Sequence, residues 1–172
     1  MLNSSLFAPF ASYADEAPAY WFLDCLWIVH ATAKQTGGQY SIIEQLMPEG
    51  SGPPPHVHPT EEVFFVIEGE MTVHIGQGSE EKVLVIGAGC SGNVSRDTVH
   101  WFRTTKGPCR VLNLYSPAGF EQVLIGTAKP ALTRTLPPKG FDTATHEEML
   151  RFLNNYWSSQ SVVSWATTKS TV

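Results

Sequence analysis

Four side chains that commonly bind metals are spaced so that they can meet at one ion. His56 and His58 are separated by one residue, Glu62 follows after three more residues, and His100 comes after a glycine-bearing loop. Alternate side chains of an extended segment share a face, so His56, His58 and the even-numbered Glu62 can point the same way. Three imidazoles and one carboxylate suit a divalent transition metal, whether iron, nickel, manganese, cobalt, copper or zinc. We therefore predict one such ion, with the ligands His56, His58, Glu62 and His100.

The remaining histidines and the cysteines lie outside this pattern. A single histidine without a motif is usually a surface or hydrogen-bonded core residue, which is our interpretation of His30, His74 and His146. The cysteines are too few and too far apart for a zinc site, a redox motif or a disulfide framework, which favours a reducing, cytoplasmic setting. We interpret all three as buried apolar residues or spectators: Cys25, Cys90 and Cys109.

Short strands separated by turns are expected to position the ligands. Runs rich in aromatic and β-branched residues predict strands at 21–23, 26–32, 40–47, 63–67, 71–75, 83–86, 101–104 and 111–115. Residues 68–70 are interpreted as a turn, 76–82 as a hairpin loop and 87–97 as a longer loop. The proline-rich segment 48–55 stiffens the approach to His56. Together these features predict an all-β, antiparallel sandwich or barrel.

The pattern changes to helix after residue 116. Residues 117–125 could form one short helix, and 145–157 form a better candidate because Thr145 and Glu148 make a capping box. The apolar face of that second helix consists of Met149, Phe152, Leu153 and Tyr156. We predict a single domain over 1–172, with an N-terminal arm at 1–19, barrel strands at 20–116 and a helical C-terminal extension at 117–172.

Composition excludes several classes of function. Apolar residues make up 42% of the chain and charged residues 16%, which is typical of a packed globular protein. The formal charge of −5 lacks the basic character that binds nucleic acid or an anionic membrane. No stretch approaches the roughly 20 apolar residues that span a bilayer, and no secretion signal is expected. The expected partner is a small molecule.

The predicted ligands lie in two motifs that resemble those of the cupin family. The first cupin motif, G-x5-H-x-H-x3-E-x6-G, is met in full by Gly50, His56, His58, Glu62 and Gly69. The second, G-x5-P-x-G-x2-H-x3-N, is met in spacing by Gly89, Ser95, Asp97, His100 and Thr104. The changes at positions 95, 97 and 104 fall on backbone-shaping positions and leave the ligands intact.

Further segments resemble the single-cupin branch usually labelled quercetin 2,3-dioxygenase-like, over about residues 20–126. These segments are 20–23, 36–38, 52–58 and 116–121. The resemblance implies a cupin double-stranded β-helix, that is, a jelly-roll barrel, here with a C-terminal helical extension. It also implies a metal-dependent oxygenase acting on a small aromatic or enolic substrate. In that reaction Glu62 would be both a ligand and the base that takes the substrate's hydroxyl proton.

Two other functions remain open, because a fold does not determine a reaction. One is a non-redox metal-dependent isomerase, lyase, cyclase or decarboxylase, and the other is a non-catalytic protein that binds a small ligand. Phe64, Val66 and Phe102 share sequence parity with the nearest ligands and are predicted either to line the substrate pocket or to pack in the core. A homodimer is expected, because such barrels leave sheet edges and apolar faces that a partner covers.

Overall fold

The computed structural model describes residues 8–141 and, beyond them, residues 145, 147, 148, 151 and 155. The strands are β1 (Ala19–Phe22), β2 (Cys25–Ala31), β3 (Ser41–Met47), β4 (Glu61–Ile75), β5 (Lys82–Gly87), β6 (Ser91–Val94), β7 (His100–Ser116) and β8 (Lys129–Pro130). The helices are α1 (Ala33–Thr36) and α2 (Glu121–Thr127), and a 3-10 turn covers Gly78–Glu80. The predicted all-β, antiparallel architecture is confirmed.

The long strands β4 and β7 form the centre of the sheet. The order of strands is β5-β4-β7-β3-β2-β1-β8, and β6 also pairs with β4. The β4–β7 ladder runs from Glu61 opposite Ser116 to Ile75 opposite His100. Glu62 and His100 therefore lie near opposite ends of this ladder, yet their side chains meet at 3.1 Å. The sheet must fold back on itself between them.

This fold-back is built around Gly69. The predicted turn at 68–70 is wrong as a break between two strands, because β4 continues through it with register shifts between Val66 and Met71. Gly69 has a φ of 81°, and a Cβ there would lie 2.5 Å from the carbonyl oxygen of Pro108 in β7. Bulges bend a strand without ending it. The same continuity joins the strands predicted at 101–104 and 111–115 into β7.

Three short elements escaped sequence analysis. Strand β6 lies within the predicted loop 87–97 and pairs with Glu62–Phe65 of β4, although its sequence has no apolar alternation. Helix α1 and strand β8 are too short to show any periodicity. The helix expected at 117–125 is present as α2, displaced toward the C-terminus by a few residues.

Two apolar clusters lie on opposite sides of the N-terminal strands. The main cluster fills the barrel and includes Phe22, Phe64 and Met71. The second cluster packs Trp21, Leu26 and Ile28 against Ala17 of the N-terminal arm. The described part of this arm is therefore anchored by apolar contacts.

The predicted C-terminal helix lies mostly outside the described residues. Residues 147, 148, 151 and 155 are helical. The capping box is confirmed, since the Thr145 N–H donates to Glu148 Oε2 at 2.7 Å and the Glu148 N–H donates to Thr145 Oγ1 at 3.2 Å. The four residues of the predicted apolar face, and His146, lie outside the described residues. Among the residues described, no helix is long and apolar enough to cross a bilayer.

Candidate metal centre

Backbone hydrogen bonds tie together the segments that carry the four predicted ligands. His56, in the loop before β4, exchanges two backbone hydrogen bonds with His100, at N–O distances of 3.0 and 2.9 Å. The Asp97 N–H donates to the carbonyl oxygen of His58 at 3.0 Å. Asp97 has a φ of 59°, which explains why the second cupin motif has glycine at this position. The ligand loop is thus fixed to the residues that lead into β7.

The four side chains converge on one point. One ligand atom from each of His56, His58, Glu62 and His100 can be chosen so that all four lie within 4.8 Å of one another. Glu62 Oε2 lies 2.9 Å from His58 Nε2 and 3.1 Å from His100 Nε2. His58, Glu62 and His100 are almost completely buried, and His56 is partly exposed. Within the described residues, this is the one group of three or more histidine, cysteine or acidic side chains that could hold a metal.

Carbonyl oxygens behind the rings orient the imidazoles. His56 Nδ1 lies 2.9 Å from the carbonyl oxygen of Pro54, and His100 Nδ1 lies 2.9 Å from that of Thr98. A carbonyl only accepts, so we assign the Nδ1–H tautomer to both rings. His58 Nδ1 lies 2.8 Å from Thr60 Oγ1 and 3.1 Å from the carbonyl oxygen of Thr60, and both oxygens can accept its proton. In this tautomer each Nε2 directs a lone pair at the centre, as in known metal sites.

The donor set fits a divalent ion. With its proton on Nδ1, His100 directs the lone pair of Nε2 at Glu62 Oε2, 3.1 Å away. These two atoms are both acceptors, so they repel each other unless a cation or a proton lies between them. Two ligands at right angles, each about 2.1 Å from one ion, are separated by about 3 Å. The spacing and the tautomers therefore suit a metal, and His56, His58, Glu62 and His100 could hold it.

The protonation states of the group are also suitable. Burial, with the nearby His100 and His58, lowers the pKa of His56 to about 3, so this ring is neutral. Burial would raise the pKa of Glu62, but hydrogen bonds with His100 and His58 hold it well below its usual range. Burial would lower the pKa of His100, but its hydrogen bond with Glu62 and the charge of that carboxylate raise it. In the metal-free protein the raised pKa of His100 favours a second proton on this ring, at Nε2 facing Glu62, which a cation would displace.

Two side chains and one glycine shape the loop that delivers His56. Arg103 donates hydrogen bonds to the carbonyl oxygens of Gly52 and Pro53. Thr104 Oγ1 donates to the carbonyl oxygen of Pro48 at 2.6 Å and accepts from the Ser51 N–H at 3.0 Å. A Cβ on Gly52 would overlap the carbonyl oxygen of Phe102, so only glycine fits there. Thr104 stands where the second cupin motif has asparagine, and its hydroxyl provides polar contacts at that point.

A small cavity opens beside the group, with His56 and Glu62 in its wall and a volume of about 40 Å³. It has room for a few water molecules or for one end of a substrate. Phe102, a predicted pocket residue, lines it. Phe64 and Val66, the other two, are not in its wall and lie in the main core, where Phe64 packs edge-on against Phe102.

Most of the cavity wall comes from residues that sequence analysis did not single out. Its apolar part includes Leu23, Trp27, Tyr115 and Phe120, and its polar part includes Asp24, Cys25, Gln45 and Ser51. Burial and the charge of Glu62 raise the pKa of Tyr115 well above its ordinary value, so the hydroxyl stays protonated beside Glu62. Tyr115 lies opposite Glu62 in the β4–β7 ladder, but no sequence motif marks it or Asp24.

Comparisons with known proteins agree with this fold. Residues 43–115 match the family model described as "Cupin domain". No curated protein sequence matches the chain. Similar solved structures include an RmlC-like cupin from Shewanella frigidimarina NCIMB 400, which is 17% identical with a TM-score of 0.56 and is aligned over 64% of this chain and 93% of its own. KdgF from a Halomonas species is 15% identical with a TM-score of 0.56, over 67% of this chain and 99% of its own.

A third similar structure is a formate complex of oxalate decarboxylase from Lactobacillus farciminis. It is 16% identical with a TM-score of 0.55, over 64% of this chain, and this chain covers only 34% of its length. Likeness at these identities concerns the fold alone. The predicted cupin fold is confirmed and the cupin superfamily is supported, while the quercetin 2,3-dioxygenase-like branch stays a prediction.

Proposed function

We propose that this cupin-fold chain is a metal-dependent oxygenase acting on a small aromatic or enolic substrate. The observation that carries the proposal is the position of the His/Glu group at the wall of an apolar cavity. His56 and Glu62 line that cavity, and His58 and His100 lie behind them. A divalent ion held there would supply Lewis-acid charge that favours the ionised form of an enolic hydroxyl.

The cavity wall favours a flat, poorly charged substrate. Leu23, Trp27, Phe102 and Phe120 provide apolar surface, whereas a sugar would need many polar partners for its hydroxyls. The volume of about 40 Å³ is too small for a flavonol with three rings. We therefore propose a single-ring or open-chain substrate whose enolic end enters the cavity while the remainder stays at the mouth.

Glu62 is proposed as the base that takes the proton of that enolic hydroxyl. It lines the cavity and is ionised at neutral pH, because hydrogen bonds with His100 and His58 lower its pKa. A general base must reach the proton directly or through one water. The position of Glu62 in the wall of the cavity that a substrate would enter supports this role.

One observation also favours a non-redox reaction at the same site. Tyr115 and Glu62 lie opposite each other in the β4–β7 ladder, and both line the cavity. A protonated phenol beside an ionised carboxylate is an acid–base pair that can move a proton between two positions of a substrate. An isomerase, lyase, cyclase or decarboxylase of this kind would need no dioxygen.

Oxygen uptake separates the two functions. The protein is loaded in turn with iron, nickel, manganese, cobalt, copper and zinc, and offered single-ring enolic compounds and flavonols. The oxygenase proposal expects dioxygen consumption with at least one metal, stoichiometric with substrate loss, and none in a His56→Ala/His100→Ala variant. Equal conversion under argon and air would reject the oxygenase and favour the non-redox enzyme. Tight binding without conversion would favour a ligand-binding protein.

A further inference from the structure

A second polar cluster lies in the cavity wall, separate from the metal ligands. Its members are Asp24, Cys25, Gln45 and Ser51. We propose that Asp24 determines substrate specificity: its carboxylate accepts a hydrogen bond from a hydroxyl or amino group on the substrate, at the end remote from the enolic oxygens. This inference rests on the proposed function, because it takes the enolic end to lie at the His/Glu group.

Hydrogen bonds hold the Asp24 carboxylate in one orientation. Ser51 Oγ donates to Asp24 Oδ1 at 2.7 Å, and the Cys25 thiol donates to the same oxygen at 3.1 Å. Over residues 8–141, the hydrogen bonds found for this carboxylate all end on Oδ1. Oδ2 can therefore accept a further hydrogen bond, and an oriented acceptor loses little entropy when a ligand binds.

The turn that carries Asp24 places it at the mouth of the cavity. Leu23 and Asp24 form the two-residue connection between β1 and β2, where Phe22 pairs with Cys25. Leu23 has a φ of 55°, a conformation in which such turns usually have glycine. Both residues also border an outer groove formed with Pro137 and neighbouring residues. Asp24 thus stands between the inner cavity and solvent, where the outer end of a substrate would lie.

Ser51 connects the Asp24 carboxylate to the loop that carries the metal ligand His56. Ser51 is buried. Its N–H donates to Thr104 Oγ1, and its carbonyl oxygen accepts from the Thr104 N–H. The same loop continues to His56 five residues later. The distance between the Asp24 carboxylate and the His/Glu group is therefore maintained by one braced segment. A substrate must match that distance to use both.

The charge of the wall restricts the substrate further. Among the described residues that form the wall there is no lysine or arginine, and the acidic ones are Asp24 and Glu62. A carboxylate at the mouth repels an anionic substituent and attracts a hydroxyl or an ammonium group. The expected substrate class is therefore an enolic compound with a neutral or cationic hydrogen-bond donor at its outer end. A dicarboxylate is disfavoured.

Three hydroxypyranones that differ at one position test this assignment. Each is a 5-hydroxy-4-pyranone with a methyl, a hydroxymethyl or a carboxylate group at carbon 2, across the ring from the enolic oxygens. Binding to zinc-loaded protein is measured by calorimetry, since zinc supports no redox turnover. We expect the hydroxymethyl compound to bind about tenfold or more tightly than the methyl compound, the usual effect of a hydrogen bond to a charged group. The carboxylate compound should bind most weakly.

Asp24→Asn should remove most of the hydroxymethyl preference and improve binding of the carboxylate compound, because the charge is gone. Asp15→Asn is the matched control, since Asp15 is an exposed aspartate outside the cavity wall, and should behave as wild type. Asp24→Ser should give the same loss, and it provides the test if Asp24→Asn does not fold. Equal binding of the methyl and hydroxymethyl compounds to wild type, or an unchanged preference in both Asp24 variants, would overturn the inference and leave the proposed function intact. If none of the three binds, the proposed function fails, and this inference fails with it.

Discussion

Replacing Thr104 by valine should destabilise the loop that carries His56. Thr104 is 2% exposed, and its hydroxyl donates to the Pro48 carbonyl oxygen at 2.6 Å and accepts from the Ser51 N–H at 3.0 Å. Valine has nearly the same shape, so the substitution removes two hydrogen bonds and leaves packing almost unchanged. A buried polar group that loses its partner costs about 1–3 kcal/mol.

The Ser51 N–H and the Pro48 carbonyl oxygen, which lose the Thr104 hydroxyl as a partner, can partly satisfy each other, and this limits the expected loss of stability. The Ser51 N–H also lies 3.2 Å from the Pro48 carbonyl oxygen, so that weak contact survives the loss of the hydroxyl. Pro48 is in addition only partly buried, and water can reach it. We therefore expect the free energy of unfolding to fall by about 2 kcal/mol, less than two fully unsatisfied groups would cost.

The adjacent Thr105 offers a matched control. It is exposed, and its hydroxyl contacts Glu70 at 3.2 Å, so Thr105→Val should change stability by no more than about 0.5 kcal/mol. Both variants are compared with wild type by urea unfolding of the metal-free protein, with the slope of the unfolding curve checked for constancy. Thr104→Val should also weaken zinc binding, because the loop holds His56 less firmly. Equal stability of the two variants would refute the role given to the Thr104 hydroxyl.

Four further outcomes are expected. The purified protein should carry close to one transition-metal ion per chain by elemental analysis. The double variant His56→Ala/His100→Ala should lose most of this metal, whereas the control His30→Ala/His74→Ala should keep it. Full metal in the first double variant would contradict the assignment. Glu62→Gln should reduce turnover roughly a hundredfold at saturating metal, the usual scale for losing a general base, and full activity would reject the base role. Zinc affinity should rise with pH up to the raised pKa of His100 and then level off. Below that pKa, zinc must displace the proton on His100 that faces Glu62. A zinc affinity that does not change between about pH 5 and 8 would contradict this competition with the proton. Light scattering should report a homodimer, and a monomer over a wide concentration range would remove that prediction.

The ligand set was predictable because its geometry is largely local. His56 and His58 lie on one extended segment, and Glu62 enters the next strand with the same parity, so spacing alone places three ligands together. His100 is different. It lies at the far end of the β4–β7 ladder from Glu62, and only the fold-back around Gly69 brings the two together. It was predicted from the glycine-bearing loop before it, and the spacing of the second cupin motif, which reflects that fold-back indirectly, agreed.

The segment around Gly69 shows why strand boundaries were less predictable. A glycine between two glutamates is typical of a turn, and the chain does bend there. What a local pattern misses is that β7 bends alongside, with Pro108 packed against Gly69, so the ladder continues across the bend. Strand β6 was missed for a related reason, since its hydrogen bonds to β4 are decided by the partner and not by its own sequence.

Parity along a strand predicted which face a side chain occupies but not its depth in the barrel. Phe64, Val66 and Phe102 all face inward, yet only Phe102 reaches the cavity, and the other two fill the core beyond it. The rest of the wall comes from the β1–β2 turn, from β2, β3 and β7, from Phe120 before α2, and from residues 51–53, and only these last lie inside a motif. The motifs thus determine the metal ligands, whereas the cavity wall depends on the long-range packing of other segments. Two chains with the same motifs can therefore share a metal site and still select different substrates, and the residue at position 24 is where we expect that selection to be made in this chain.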